Sequence, residues 1–288
     1  MPHATAADGV RLYYEEAGSG APIIFVHEFA ADYASWEPQV RYFSRRYRCI
    51  TYSARGYAPS DVPASADAYT YEHFARDVIA VLDHLGIARA HVVGLPMGGY
   101  STLQVGLRHP KRAHSLTLAG SGSGAERWYT DEFRKSARAT ADQMERVGAE
   151  ALRTYGLGPT RIPFLVKDPR GYQEFADALA RHDIKGSAST LRGFQVGRPP
   201  IYDFEDEIRR MALPTLIICG DEDDPCIEPS LFLKKHVAAS GLAMFPKAGH
   251  TVNLEEPALF NETLDRFLAL VDAGRWPPRD PRSVRQTG

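Results

Sequence analysis

The chain has 288 residues, of which 44% are hydrophobic, so it can bury a sizeable core as one large α/β domain or as a core domain with a smaller insertion. This composition excludes a disordered or fibrous protein. The 34 basic and 36 acidic residues nearly balance, which gives no electrostatic reason to expect nucleic acid or an anionic membrane as a partner. The expected partner is a small molecule, and a homodimer is compatible with the sequence.

The N-terminus lacks the basic and apolar regions of a secretory signal, and no apolar run approaches the length of about 18 residues that spans a membrane. The three cysteines, Cys49, Cys219 and Cys226, are an odd number without CxxC spacing. They are predicted to be free thiols in a reducing compartment rather than disulfide or zinc ligands. A cytoplasmic location is therefore expected.

Short runs rich in β-branched residues alternate with longer helical patterns along most of the chain. The runs cover residues 10–17, 22–27, 47–52, 90–94, 114–120, 213–220 and 241–246. Their alternation with helices predicts an α/β fold with a mostly parallel sheet, and the Asp8-Gly9 turn before the first run predicts an antiparallel start. The helices are predicted near 34–46, 71–86, 97–109, 228–239 and 255–271, with apolar residues at helical spacing.

The segment 125–204 interrupts this alternation, because it contains amphipathic stretches and no convincing strand. It is predicted to be a helical lid inserted above the strand ends. The core domain then comprises residues 1–124 and 205–273. The remaining tail, 274–288, is rich in proline and arginine and is predicted to be a poorly ordered, flexible surface segment.

Ligands of open α/β sheets bind outside the carboxyl ends of the strands, so the residues that follow each run are candidates for a functional site. Four segments stand out there, namely His27-Glu28-Phe29, Gly94-Leu95-Pro96-Met97-Gly98, Gly220-Asp221-Glu222-Asp223 and Lys247-Ala248-Gly249-His250. A carboxylate that accepts a hydrogen bond from one imidazole nitrogen leaves the other nitrogen free to take a proton. An acid and a histidine in this arrangement can therefore act as a general base.

In their order along the chain, these segments resemble the α/β-hydrolase superfamily over roughly residues 8–272. The resemblance implies a mostly parallel eight-stranded sheet flanked by helices, with a helical lid. In that family a nucleophile in a G-x-S-x-G turn precedes an acid and a histidine. The resemblance implies Asp223 as the acid, with Asp221 and Asp224 as alternatives, and His250 as the histidine. It also places the N–H groups of Phe29 and Met97 in the oxyanion hole.

Pro96 stands at the position where the family carries its nucleophile. Proline has no hydroxyl, thiol or carboxylate, so an acyl-enzyme at residue 96 is excluded. Its ring fixes φ near −65°, which is incompatible with the strained, positive-φ turn of the family and favoured at the first position of a helix. We therefore predict an ordinary strand-to-helix junction. The other candidate nucleophiles lack the flanks of such a turn and are interpreted as turn or helix residues: Ser101, Ser121, Ser123 and Cys226.

Glu28 follows His27 where the family usually has glycine, and it is either an ion-paired loop residue or a residue that shapes the site. His27, Trp128 and Tyr129 are further candidates for shaping the site. "HEFAAD" is not a zinc motif, since Ala31 occupies the second histidine position. No metal or cofactor is predicted. The remaining helical histidines are expected to face solvent: His73, His84, His109 and His182.

The favoured function is an enzyme that acts on a small, largely apolar molecule through His250 and Asp223, without a serine nucleophile. Two alternatives to this function stay open. In the first, the chain is a variant of a serine esterase, amidase or C–C hydrolase inactivated at residue 96. In the second, it is a non-catalytic, ligand-binding member of the fold.

Overall fold

A central sheet of eight strands organises the chain, seen in a computed structural model that describes residues 2–126 and 128–283. The strands are His3–Thr5 (β1), Arg11–Ala17 (β2), Ala21–Val26 (β3), Tyr47–Tyr52 (β4), Ala90–Gly94 (β5), Ala113–Ala119 (β6), Thr215–Gly220 (β7) and Ser240–Phe245 (β8). Their order across the sheet is β1-β2-β4-β3-β5-β6-β7-β8. β2 pairs antiparallel with β1 and β4, and every other pair is parallel. The prediction of a mostly parallel eight-stranded sheet is confirmed.

Twelve α-helices accompany these strands within the described residues. They are Glu37–Phe43 (α1), Tyr71–His84 (α2), Pro96–Arg108 (α3), Thr130–Val147 (α4), Ala149–Gly156 (α5), Ile162–Lys167 (α6), Pro169–Leu179 (α7), Ile184–Thr190 (α8), Glu205–Arg210 (α9), Asp224–His236 (α10), Val252–Glu255 (α11) and Pro257–Asp272 (α12). α4 to α8 lie between β6 and β7, and the described residues of 125–204 contain no strand. We use the name lid for residues 125–204. None of the helices in the described ranges is long and apolar enough to cross a bilayer.

The sheet buries both of its faces, as β3 shows. Ile24 and Val26 belong to an apolar cluster that includes residues of α2 and α3. Ile23 and Phe25 belong to a second cluster with residues of α1 and α12. Successive side chains of a strand point to opposite faces, so this division places helices on both sides of the sheet. Such two-sided burial explains the continuous apolar character of the central strands.

One residue of the predicted tail is packed, and the expectation about one histidine is incorrect. Trp276 of the predicted poorly ordered tail packs edge-on against Phe267 at 4.7 Å and donates a hydrogen bond to the Ala239 carbonyl at 2.9 Å. Residues 284–288 lie outside the described part of the chain. His182 was expected to face solvent on a helix. It lies in the loop between α7 and α8 and is buried, with its ring edge-on to that of Tyr57 at 5.3 Å.

The burial of His182 leads to a prediction about stability. Burial lowers its pKa to about 4, whereas a histidine in an unfolded chain titrates near 6.5. The unfolded state therefore binds more protons between these values, and stability is lost as the pH falls below about 6.5. We expect His182 alone to lower the free energy of unfolding by roughly 2 kcal/mol between about pH 6.5 and pH 5, measured by urea denaturation.

His182→Leu should flatten this pH dependence, and the matched change His84→Leu at an exposed position of α2 should leave it unchanged. Burial also lowers the pKa of His91 to about 4, so part of the slope should remain in His182→Leu. Equal slopes in His182→Leu and the parent protein would show that this ring is not buried in solution.

Candidate active site

The junction between β5 and α3 carries Pro96 without strain. β5 ends at Gly94, Leu95 is extended with φ −94° and ψ 161°, and α3 begins at Pro96. Among the described non-glycine residues, Lys247 is the one with a positive φ. The chain thus enters the helix as expected for a proline in its first turn.

The glycines around Pro96 allow the start of α3 to approach the sheet closely. A methyl group on Gly98 would lie 2.1 Å from the carbonyl oxygen of Val26 in β3. One on Gly94 would lie 2.3 Å from the carbonyl oxygen of Gly98. Both distances are far below van der Waals contact, so only glycine fits. The β5–α3 junction therefore packs closely against the sheet, although Pro96 at its tip is not a nucleophile.

Asp223 and His250, which the sequence places far apart, meet at the carboxyl ends of β7 and β8. Nδ1 of His250 lies 2.8 Å from Oδ2 of Asp223, and Asp223 is fully buried. Asp221 and Asp224 are exposed, so Asp223 is the carboxylate that orients the ring. The backbone N–H of His250 donates to Thr160 of the lid at 2.8 Å. Nε2 of His250 has no hydrogen-bond partner in the described residues, and the ring lines a pocket.

Cys226 lies on the Nδ1 side of the His250 ring and not on the Nε2 side. Its Sγ is 3.9 Å from Nδ1 of His250 and 3.1 Å from the Gly120 carbonyl, and burial raises the pKa of the thiol far above its usual range. A protonated thiol on the Nδ1 side cannot replace the missing nucleophile.

Asp223, Cys226 and His250 each offer one potential metal ligand within 4.8 Å of the others. The sequence did not reveal this group, because Asp223 and Cys226 lie at the start of α10 and His250 lies in the loop after β8. Metal ligation by Cys226 requires the thiolate, which burial disfavours. The separation of 2.8 Å between Asp223 and His250 is that of a direct hydrogen bond.

The three serines considered as replacements differ in position. Ser101 is buried in α3 and lies 3.3 Å from the Met97 carbonyl, and the hydroxyl of Ser121 lies 3.4 Å from the Ala119 carbonyl. Ser123 lines the pocket with His250. Ser101 and Ser121 do not line the pocket.

The loop after β3 supplies one of the two N–H groups expected in the oxyanion hole. Phe29 and Met97 both line the pocket, and neither backbone N–H has a protein acceptor within residues 2–126 and 128–283. His27 is buried and fixes this loop. One ring nitrogen donates to the Glu28 carbonyl at 2.7 Å, and the other accepts from the N–H of Ala54 at 2.9 Å. Burial lowers the pKa of His27, in keeping with this neutral, bridging form.

Glu28 combines both roles considered for it. Its carboxylate forms a buried ion pair with Arg161 of the lid, and it also lines the pocket. The guanidinium of Arg161 lies 5.2 Å from the centre of the Tyr155 ring. Oε1 of Glu28 has no partner in the described residues. The ion pair thus joins the oxyanion loop to the lid, a contact that no spacing in the sequence indicated.

The pocket lies between the strand ends and the lid and encloses about 100 Å³. It is lined by Glu28, Phe29, Pro96, Met97, Gly122, Ser123, Phe133, Ser136, Ala137, Thr140, Tyr155, Leu191, Gln195, Arg198 and His250. This volume is below the range of roughly 300–1,000 Å³ of typical ligand pockets. A ligand of more than a few heavy atoms therefore requires the lid to move.

Trp128 and Tyr129, proposed to shape the site, do not line this pocket. Trp128 is 82% exposed, and its ring lies 5.4 Å from that of Tyr129 just before α4. Phe133, one turn further along, reaches the cavity instead. The expectation for these two residues is incorrect, because the docked orientation of α4 turns a later residue inward.

A larger concavity of about 620 Å³ lies beside α2, away from the strand ends. Its buried arginine is ion-paired, since Arg55 contacts Asp8 at 2.7 Å and Asp77 at 2.6 Å. Neither His250 nor Pro96 lines it. The smaller pocket is therefore the better candidate for chemistry.

The packing at the junction predicts different effects for two alanine substitutions. Pro96→Ala should change the free energy of unfolding by less than about 1 kcal/mol, since alanine is a good helix former and nothing clashes. Gly98→Ala should lower it by roughly 1–3 kcal/mol or more, because its methyl group meets the backbone of β3. Chemical denaturation of both variants measures the difference, and equal effects would contradict this packing.

Three comparisons with known proteins agree with the observed fold. The sequence profile of the alpha/beta hydrolase fold matches residues 21–257. The 3-oxoadipate enol-lactonase 1 of Acinetobacter baylyi is 29% identical over 250 residues, which cover 85% of this chain and 88% of that protein.

Two solved structures are similar over almost their full length. An esterase from Exiguobacterium antarcticum has a TM-score of 0.79 at 25% identity, covering 93% of this chain and 98% of that one. The enol-lactonase of Burkholderia xenovorans LB400 has a TM-score of 0.79 at 24% identity, covering 93% and 100%. From its profile match and its sheet, this chain belongs to the alpha/beta hydrolase family.

Proposed function

We propose that the protein is an enzyme that hydrolyses a small ester or lactone by general-base catalysis at His250, without a covalent intermediate at residue 96. The observation that carries this proposal is the hydrogen bond of 2.8 Å between Asp223 and Nδ1 of His250. It leaves Nε2 as the basic nitrogen of a ring that lines the pocket beside Pro96. The similarity to an enol-lactonase and to an esterase supports the reaction class.

In this mechanism water supplies the nucleophile. Nε2 of His250 takes a proton from a water molecule while the water oxygen bonds to the substrate carbonyl carbon. The carbonyl oxygen becomes an oxyanion and accepts hydrogen bonds from the N–H groups of Phe29 and Met97. Asp223 stabilises the imidazolium. When the tetrahedral intermediate collapses, His250 returns the proton to the departing alkoxide, and acid and alcohol are released.

Pro96 determines which step is absent. A serine there would attack first, and its loss costs serine hydrolases most of their rate while binding and oxyanion contacts remain. The substrate must then be reactive enough for water to attack it directly. Glu28, the carboxylate that lines the pocket, is ion-paired with Arg161, which leaves His250 as the group suited to proton transfer.

Substitution of the dyad tests this mechanism. On a panel of short aryl esters and lactones, His250→Ala should lower kcat/KM by about 10²- to 10⁴-fold, the usual contribution of a general base. Asp223→Asn should also lower it strongly, since the ring loses its orienting acceptor. Asp221→Asn, which changes an exposed carboxylate of the same loop, is the matched control and should retain activity.

Pro96→Ser separates this proposal from its two alternatives. If the parent protein is active and His250→Ala is not, the general-base enzyme is supported. Activity with an acyl adduct in Pro96→Ser alone would contradict it and indicate an inactivated serine hydrolase. No turnover by either protein, together with a ligand that raises the melting temperature, would indicate a binding protein.

A further inference from the structure

The side chain of Arg198 lines the pocket, and few neighbouring groups stabilise its positive charge. It follows a π-helical turn, Leu191–Gln195, and lines the cavity together with His250. One terminal nitrogen donates to the carbonyl oxygen of Ser123 at 2.6 Å. The guanidinium also lies over aromatic rings, 5.0 Å from the ring centre of Tyr100 and 5.4 Å from that of Phe133. These neighbours position the group but do not neutralise it.

The two arginines that are buried within the described residues have carboxylate partners. Arg55 pairs with Asp8 and Asp77, and Arg161 pairs with Glu28. Within residues 2–126 and 128–283, no carboxylate forms an ion pair with Arg198, and its Nε has no hydrogen-bond partner. Burial lowers the pKa of Arg198. Arg198 is partly buried, and a buried polar atom without a partner, such as its Nε, is costly. An anion entering the pocket would remove that cost.

The pairing of charges along the pocket favours an anion at Arg198. Glu28 is the carboxylate that lines the cavity, and its ion pair with Arg161 cancels its charge. Arg198 is therefore the lining cation without a carboxylate partner in the described residues, since Asp223 lies on the Nδ1 side of the His250 ring and is hydrogen-bonded there. Nearby, Oε1 of Gln195 is buried without a partner in the described part of the chain, so it can accept a hydrogen bond from a ligand hydroxyl.

We propose that Arg198 binds a carboxylate of the ligand, so that the substrate is a small carboxylic acid that also carries the ester or lactone group. A planar guanidinium matches a carboxylate through two parallel hydrogen bonds. The carboxylate at Arg198 would orient the ligand while its reacting carbonyl lies at His250. This inference rests on the proposed function for the reaction, but the anion site itself can be tested without turnover.

Butyrate and its neutral analogue butyramide are suitable probes, because both are small enough for the cavity of about 100 Å³. Isothermal titration of the parent protein should show butyrate binding about 10- to 100-fold more tightly than butyramide, as expected for a charge-assisted pair. Arg198→Gln should remove this preference. Arg192→Gln, in the preceding π-helical turn and ion-paired at the surface with Glu145, is the matched control and should keep it.

Arg198→Lys provides a second variant in case Arg198→Gln does not fold, which thermal unfolding reveals. Lysine keeps the charge but not the planar fork, so it should retain a reduced preference for butyrate. Equal binding of butyrate and butyramide by the parent protein would overturn the inference, and so would an unchanged preference in Arg198→Gln.

Failure of the proposed function can be distinguished from failure of this inference. His250→Ala should keep the preference for butyrate, because His250 is not the partner of the anion. A parent protein that binds butyrate selectively but turns over no ester would contradict the catalytic proposal alone. An active protein without this selectivity would contradict the anion site alone.

Discussion

The hydrogen bond between Asp223 and His250 is the contact on which the site depends. It joins the loops that follow β7 and β8, and its buried carboxylate fixes which nitrogen of the ring faces the pocket. The backbone of His250 is also held by the lid, since the carbonyl oxygen of Thr160 accepts a hydrogen bond from the backbone N–H of His250. Without this bond neither a proton acceptor nor a defined ring orientation would remain, whatever the substrate.

Pro96 changes the chemistry of this arrangement more than its architecture. The glycines on either side keep the start of α3 against β3. Met97 lines the pocket, and its backbone N–H has no protein acceptor among the described residues. What disappears is the strained backbone and the reacting atom. The proposed attack by water requires a base, an acid and two backbone donors, and the proposal assigns these roles to His250, Asp223 and the N–H groups of Phe29 and Met97.

Much of the core domain could be predicted from the sequence, because parallel strands buried on both faces leave apolar runs of fixed length. Position after strands indicated the loops that carry Asp223 and His250, and the resemblance to the family indicated these two residues within them. The sequence did not predict which residues of the lid line the pocket. Trp128 was expected near the ligand and is exposed, whereas Arg161 and Arg198 were not identified. The face of a lid helix that covers the pocket depends on tertiary docking, and helical spacing alone does not encode it.

The mass of the intact protein during turnover tests the central claim most directly. The protein would be mixed with an ester that it hydrolyses, quenched at times shorter than one turnover and weighed by mass spectrometry. Direct attack by water predicts that the protein mass stays unchanged at every time while acid product accumulates. A species heavier by the acyl group, formed and lost at the rate of turnover, would contradict general-base catalysis without a covalent intermediate.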